Sequence, residues 1–259
     1  MHNIVFISFD IRKDDYPSMP YSIACLIAVL QQEGIRSSHY SIDLQHILEE
    51  KSSNETITKK VISKLNENLS YFKRFKYVAV SLNSWSIEYC QALLELLNDF
   101  EGKVILGGYE VTSRSKENLF SNFPRADFFI KGYAEKAIKK IILGQLNLDE
   151  RVLEYPIEST DLVSPYLSGI LPFFSRKIYW ETKRGCKYKC GFCEWGNATI
   201  DIIDIEYQRL LNEINLFKCY PIEEVNILDG TFNNGEYFIN ILSELLEIKD
   251  LKNQLSSSF

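Results

Sequence analysis

Apolar and polar positions along the first 146 residues alternate in blocks. Residues 4–9 (IVFISF) form a continuous, β-rich apolar run that stops at Asp10, the pattern of a strand buried on both faces of a parallel sheet. Residues 10–19 are polar and read as a loop. Pro20 suits the first turn of a helix, and the apolar segment to Leu30 closes at Gly34, a natural C-terminal signal. The spacing then predicts a strand over 38–42 and a charged helix over 54–72 with Ile57, Val61, Ile62, Leu65 and Leu69 on its apolar face. A strand over 77–82, a helix over 87–100 and a strand over 104–106 closed by Gly107-Gly108 follow, then a strand over 127–130 and a helix over 135–143. Strands and helices alternating at this spacing imply an α/β fold, a doubly wound parallel sheet with helices on both faces.

Ligands of such sheets bind beyond the carboxyl ends of the strands. The candidate loops are therefore residue 10 onward, 81–86 with Ser81, and 107–112 with Gly107 and Gly108. A glycine pair lets the backbone approach a ligand or simply turn sharply. Residues 147–176 hold Pro156, Pro165 and Pro172 and read as an interdomain connector. Beyond it come a short strand-like run at 178–180, a helix over 205–217, a strand over 223–228 and a closing helix over 237–246, capped by Asn233 or Asn234. The expected domains are 1–146, a linker at 147–176, and 177–259.

Composition narrows the partners more than the fold. At 259 residues, with 46% hydrophobic, 25% charged and 13% aromatic residues, the chain is an ordinary globular protein. A net charge of −6 gives no basic field, so bulk nucleic-acid binding is not expected. No apolar run approaches the ~18 residues of a membrane span, and the amino terminus lacks a signal peptide's basic start and long apolar region. Half of the six cysteines sit on one loop, which fits a reducing cytoplasm better than a disulfide scaffold. Cys25, Cys90 and Cys219 fall in apolar helical surroundings and read as buried small hydrophobes.

That loop, Glu181-Thr182-Lys183-Arg184-Gly185-Cys186-Lys187-Tyr188-Lys189-Cys190-Gly191-Phe192-Cys193, spaces its thiols as C-x3-C-x2-C. Three thiolates at this spacing can converge on one metal centre. Gly185 and Gly191 remove side chains that would obstruct a tight wrap, and Lys183, Arg184, Lys187 and Lys189 favour the thiolate form. A structural zinc site wants four ligands, whereas His2, His39 and His46 all lie far upstream. Iron–sulfur clusters take soft thiolates, and three of them leave one iron of a [4Fe–4S] cluster open. Zinc and three unrelated thiols are the alternatives. Trp180 and Trp195 flank the loop and could shield it or simply pack.

The C-x3-C-x2-C spacing, the aromatic before the last cysteine and the preceding Glu-Thr-Lys-Arg-Gly resemble the signature of the radical S-adenosylmethionine (SAM) enzymes. The resemblance implies that Cys186, Cys190 and Cys193 ligate a [4Fe–4S] cluster. The open iron then chelates SAM, which one electron cleaves to a 5′-deoxyadenosyl radical. Phe192 is expected against the adenine. Residues 229–233 (DGTFN) resemble the motif after the second barrel strand, which makes Asp229 and Thr231 candidates for the amino end of SAM. An electron donor such as flavodoxin or ferredoxin is implied.

Residues 81–85 (SLNSW), 104–112 (VILGGYEVT) and 132–135 (GYAE), in that order, resemble the cobalamin-binding domain that precedes many radical SAM domains, the class B type. Residues 164–169 (SPYLSG) resemble the segment leading into the cluster strand of that group. Many such domains carry Asp-x-His-x-x-Gly after the first strand; here the segment is Asp10-Ile11-Arg12-Lys13-Asp14, so cobalamin is expected without a histidine ligand. The resemblance also implies a partial (β/α) barrel, of which residues 178–259 supply two units. Exposed parallel edges then call for a second chain that completes the barrel, or mark a truncated product. The expectation is thus a cytoplasmic radical SAM iron–sulfur enzyme, or its amino-terminal fragment, acting on an unidentified substrate. The alternatives are a non-catalytic cluster- and corrinoid- or nucleotide-binding module and a zinc-stabilised structural protein.

Overall fold

The structure is a computed structural model and describes residues 3–11, 16–49, 54–146, 150–173, 176–188, 190–193 and 201–256. The chain divides into two compact units, residues 1–14 with 18–157 and residues 15–17 with 158–259.

The first unit is built on six parallel strands: β1 (Ile4–Asp10), β2 (Ser37–Asp43), β3 (Tyr77–Ser81), β4 (Lys103–Gly107), β5 (Phe128–Ile130) and β6 (Val152–Leu153). Their order is β2-β1-β3-β4-β5-β6, a flavodoxin-like winding whose switch point lies between β1 and β3. Every neighbouring pair is parallel, so each connection must cross back over the sheet, and helices perform that crossing. Along β1 the side chains alternate between faces. Val5, Ile7 and Phe9 join a buried cluster with Val78, Val80, Val104 and Leu106 and with Ile57, Val61, Leu65 and Leu93 from covering helices. Each such side chain contributes about 1.5–3 kcal/mol by leaving water. On the other face helix Tyr21–Gln32 packs on helix Glu135–Leu143, and the Tyr77 hydroxyl donates to the Ile141 carbonyl at 3.5 Å.

Several elements depart from the periodicity. The helix expected over 54–72 is two pieces, Asn54–Glu67 and Leu69–Phe72, because the chain turns at Asn68, whose side chain amide donates back to the Lys64 carbonyl. Residues 107–112, expected as a loop, include a short helix, Tyr109–Ser113. The stretch expected as a connector contributes β6 to the sheet edge.

In the second unit β7 (Lys177–Trp180) and β10 (Glu224–Ile227) pair in parallel, joined through helix Tyr207–Lys218. Between them β8 (Lys183–Arg184) and β9 (Ile203–Asp204) form an antiparallel ladder. Ile178, Trp180, Leu210, Ile214, Phe217, Ile222 and Ile241 are buried. The closing helix is longer than its periodicity suggested, Phe238–Ser256. Among the described residues no helix is long and apolar enough to cross a membrane.

Candidate functional site

The carboxyl ends of the first sheet gather the loops singled out from sequence. Ser81 and Gly107 are register partners at the ends of β3 and β4. Gly108 adopts φ 111°, and a Cβ there would stand 2.5 Å from the Leu82 carbonyl oxygen, so the two strand ends meet backbone to backbone only through glycine. Thr112 Oγ1 donates to the Gly108 carbonyl at 3.1 Å and accepts from the Gly132 N–H at 3.1 Å, tying the ends of β4 and β5 together. Trp85 donates its Nε1–H to the Phe9 carbonyl at 3.0 Å while half of its surface stays exposed. Beside it, Asp10 Oδ2 accepts from the hydroxyls of Ser8 at 2.6 Å and Ser41 at 2.5 Å. His39 Nε2 lies 2.8 Å from Ser8 Oγ. This network was not read from sequence: its cross-strand hydrogen bonds each span 31 residues and form only through the β1–β2 register, in which Ser8 faces Ser41.

The second gathering is at the carboxyl ends of β7 and β10. The ladder continues as the Leu228 N–H donates to the Trp180 carbonyl at 2.7 Å. Asp229 then turns back onto the strand leading to the cysteines. Its carboxylate accepts from the Thr182 N–H at 2.9 Å, the Thr182 hydroxyl at 2.5 Å and the Lys183 N–H at 3.4 Å. Burial raises the Asp229 pKa, against the pull of the Thr182 hydrogen bonds and the Lys183 charge. Two residues on, Thr231 Oγ1 is 3.9 Å from Cys186 Sγ. Asp229 and Thr231 thus both reach the segment 182–186.

Within the loop Gly185 adopts φ 85°, and a Cβ there would lie 2.0 Å from the Asp201 carbonyl oxygen. Gly191 differs: among the described residues nothing stands within 4 Å of a Cβ at that position. The two glycines were expected to act alike, and Gly185 alone meets a steric demand. Cys186 is buried, Cys193 half-buried and Cys190 exposed, all as free thiols; the Cys193 N–H donates to the Cys190 carbonyl at 3.0 Å. Among the described residues no group of three or more His, Cys, Asp or Glu side chains stands close enough to hold a metal ion. The donor set still fits a thiolate-ligated cluster in kind, three free thiols within eight residues on one glycine-hinged loop, and a metal draws such ligands together as it binds. Phe192 is 92% exposed. Lys189 and Trp195 lie outside the described residues.

Trp180 is a packing residue with a polar handle. Fully buried, it donates Nε1–H to Glu213 Oε2 at 2.7 Å and meets Phe217 edge-on. Glu213, itself fully buried, is also 3.4 Å from Arg209, which donates to the Leu162 carbonyl at 2.8 Å. Glu181 and Arg184 form a second buried ion pair at 2.8 Å, which fixes the strand just before Cys186. Neither pair announces itself in sequence.

A six-stranded parallel sheet of flavodoxin-like winding, followed by a βαβ unit that carries a C-x3-C-x2-C loop, places the chain among the α/β proteins. No protein-family profile matches the chain. A cobalamin-dependent radical SAM methyltransferase, TokK of Streptomyces tokunonensis, is 28% identical over 178 residues, covering 56% of this chain and 26% of its own length. The 2-(S-pantetheinyl)-carbapenam-3-carboxylate methyltransferase of Streptantibioticus cattleyicolor is 28% identical over 161 residues, covering 50% of this chain and 23% of its own. The similarity supports a family related to the cobalamin-dependent radical SAM methyltransferases, and the match spans about a quarter of these relatives' length. Among solved structures, the N-terminal domain of a hypothetical protein of Thermotoga maritima covers 56% of this chain and 99% of its own, with 17% identity and a TM-score of 0.34.

Proposed function

We propose that this chain is a cytoplasmic radical SAM iron–sulfur protein of the class B type, with a cobalamin-binding domain at 1–146 that β6 extends to residue 157, a connecting segment to residue 176 and a radical SAM portion from 177. The observation that carries the reading is the C-x3-C-x2-C loop at the carboxyl ends of β7 and β10, with Cys186 beside Thr231. Both curated relatives are methyltransferases by name, and methyl transfer is the reaction this reading favours. Cys186, Cys190 and Cys193 would hold the [4Fe–4S] cluster, whose chemistry is one-electron reduction of bound SAM, supplied by a flavodoxin or ferredoxin.

The chain's own residues would bind and orient. Thr182 and Lys183 hold the Asp229 carboxylate in place, ready for the amino group of SAM, with Thr231 next to it. Exposed Phe192 offers a flat apolar face for the adenine. Cobalamin would lie over the strand-end loops that carry Ser81, Gly107 and Gly108, with Trp85 exposed at the edge. His39 is engaged with Ser8, in keeping with cobalt bound without a protein histidine. The test is anaerobic cluster reconstitution followed by assay of 5′-deoxyadenosine formed from SAM. Stoichiometric iron lost on replacing all three cysteines by Ala, with deoxyadenosine from the wild type alone, is the expected result. Stoichiometric zinc, or iron that survives the triple replacement, would overturn it.

A further inference from the structure

The three thiols of the loop are not equivalent. Cys186 is buried, with its Sγ 3.9 Å from Thr231 Oγ1. Cys190 is exposed and Cys193 half-buried, and they stand at the two ends of one turn with Gly191 and Phe192 at its corner. The Cys193 N–H donates to the Cys190 carbonyl at 3.0 Å. A turn closed in this way holds its end Cα atoms within about 7 Å of each other, close enough for a disulfide to bridge. Closure also meets little packing to displace among the described residues: nothing stands within 4 Å of a Cβ at Gly191, and Phe192 is 92% exposed. The thiols outside the loop are placed differently. Cys25 and Cys90 are buried, and burial pushes the Cys90 thiol up to about 12, which suppresses the thiolate that exchange requires. Cys219 is exposed, and its thiol donates to the Asn215 carbonyl one turn back at 3.5 Å.

We propose that Cys190 and Cys193 close a reversible disulfide in the metal-free protein, and that this bridge governs whether the loop can take up metal. The oxidant is a small disulfide such as oxidised glutathione. The exposed Cys190 sulfur attacks it as the thiolate, forming a mixed disulfide and releasing one glutathione thiol. The Cys193 sulfur then displaces the second glutathione. Two electrons and two protons pass from the protein to the glutathione pair, which ends as two thiols. Bridged, the loop keeps Cys186 as its single thiol, and one thiolate is too few for a cluster or a zinc ion. An excess of reduced glutathione reverses the exchange and returns all three ligands. The bridge depends on the thiols alone, so it forms whether the metal they otherwise hold is the iron–sulfur cluster argued above or zinc.

The experiment uses metal-free full-length protein, prepared anaerobically with a chelator and equilibrated in glutathione buffers of rising oxidised fraction. Free thiols are alkylated, and bridged peptides are mapped by mass spectrometry. The expected product is one bridge, Cys190 to Cys193, with Cys186 alkylated. Cys219→Ser should form the same bridge, and Cys193→Ser should retain glutathione on Cys190. Metal uptake, measured with iron and sulfide and separately with zinc, should be lost in the oxidised protein and return on reduction. A bridge that includes Cys186 or Cys219, glutathione left on both Cys190 and Cys193 without closure, or equal metal uptake before and after oxidation would each overturn the proposal. Reduced protein that takes up zinc alone, and loses that uptake on forming the bridge, supports the switch while removing the cluster, so the two readings fail separately.

Discussion

Among the candidate site residues Asp229 and Phe192 stand at opposite extremes, one held and half-buried, the other open. Because burial raises the Asp229 pKa above its ordinary value of 3.8, the folded state binds that proton more tightly than the unfolded chain. Its contribution to stability is therefore complete below the ordinary value and is lost as pH rises through the raised one. Asp229→Asn removes this dependence. Urea unfolding of both proteins across a pH series should show the wild type losing ground to the variant as pH rises from below 3.8 towards neutrality; a gain over that range would refute the assignment. Phe192 touches so little that Phe192→Ala should change unfolding free energy by no more than about 0.5 kcal/mol. SAM affinity should fall severalfold with iron content unchanged, and unchanged affinity would remove Phe192 from the site.

At the scale of elements, legibility followed local chemistry. β1 was readable because a strand buried on both faces must be a continuous apolar run, and residues 4–9 are all buried. The C-x3-C-x2-C spacing was readable because it is a property of the chain itself. β6, two residues long, exists through backbone bonds such as that from the Phe129 N–H to the Arg151 carbonyl, which leave no trace in side-chain pattern. The β8–β9 ladder pairs Lys183 with Asp204 and Arg184 with Ile203, about a loop's length apart, and neither that pairing nor the burial of Lys183 shows in the side-chain pattern. The contacts of Thr182 with Asp229 and of Cys186 with Thr231 depend on parallel register across more than forty residues. The loop itself offers a contrast in glycine. Gly185→Ala forces both a left-handed backbone and a collision with the Asp201 carbonyl, and should cost about 1–3 kcal/mol in chemical denaturation. Gly191→Ala should cost less than about 0.5 kcal/mol; equal costs would mean the loop adapts around either position.

At the scale of the molecule, the buried cluster that anchors the first sheet runs from Val5 to Phe129, with Val152 packed against it. All of these positions lie before the boundary at Ile157. A fragment of residues 1–157 should therefore fold alone and unfold in urea as a single cooperative transition, with a slope of about 1–3 kcal/mol/M. A broad, non-cooperative loss of ellipticity would show that the sheet needs the rest of the chain. The doubly wound sheet was legible from alternating blocks of apolar residues. The placement of Tyr16 was not, since nothing in a polar loop states which body it joins.

Tyr16 stacks on Tyr179 with ring centroids 4.9 Å apart, donates its hydroxyl to Glu224 at 2.8 Å and accepts from the Asn226 amide at 2.8 Å. It thus belongs to the second unit while being made before almost all of the first. During synthesis its ring emerges some 208 residues ahead of Glu224, so the contact can form only when nearly the whole chain has been made. Closing so long a loop adds little entropy cost beyond that of a shorter one, but it puts this contact among the last to form. The second unit is consequently not a portable cassette. Grafted onto another protein from residue 158 onward, it would arrive without its cover for Tyr179 and Glu224. Any rearrangement that moves it intact must also carry residues 15–17.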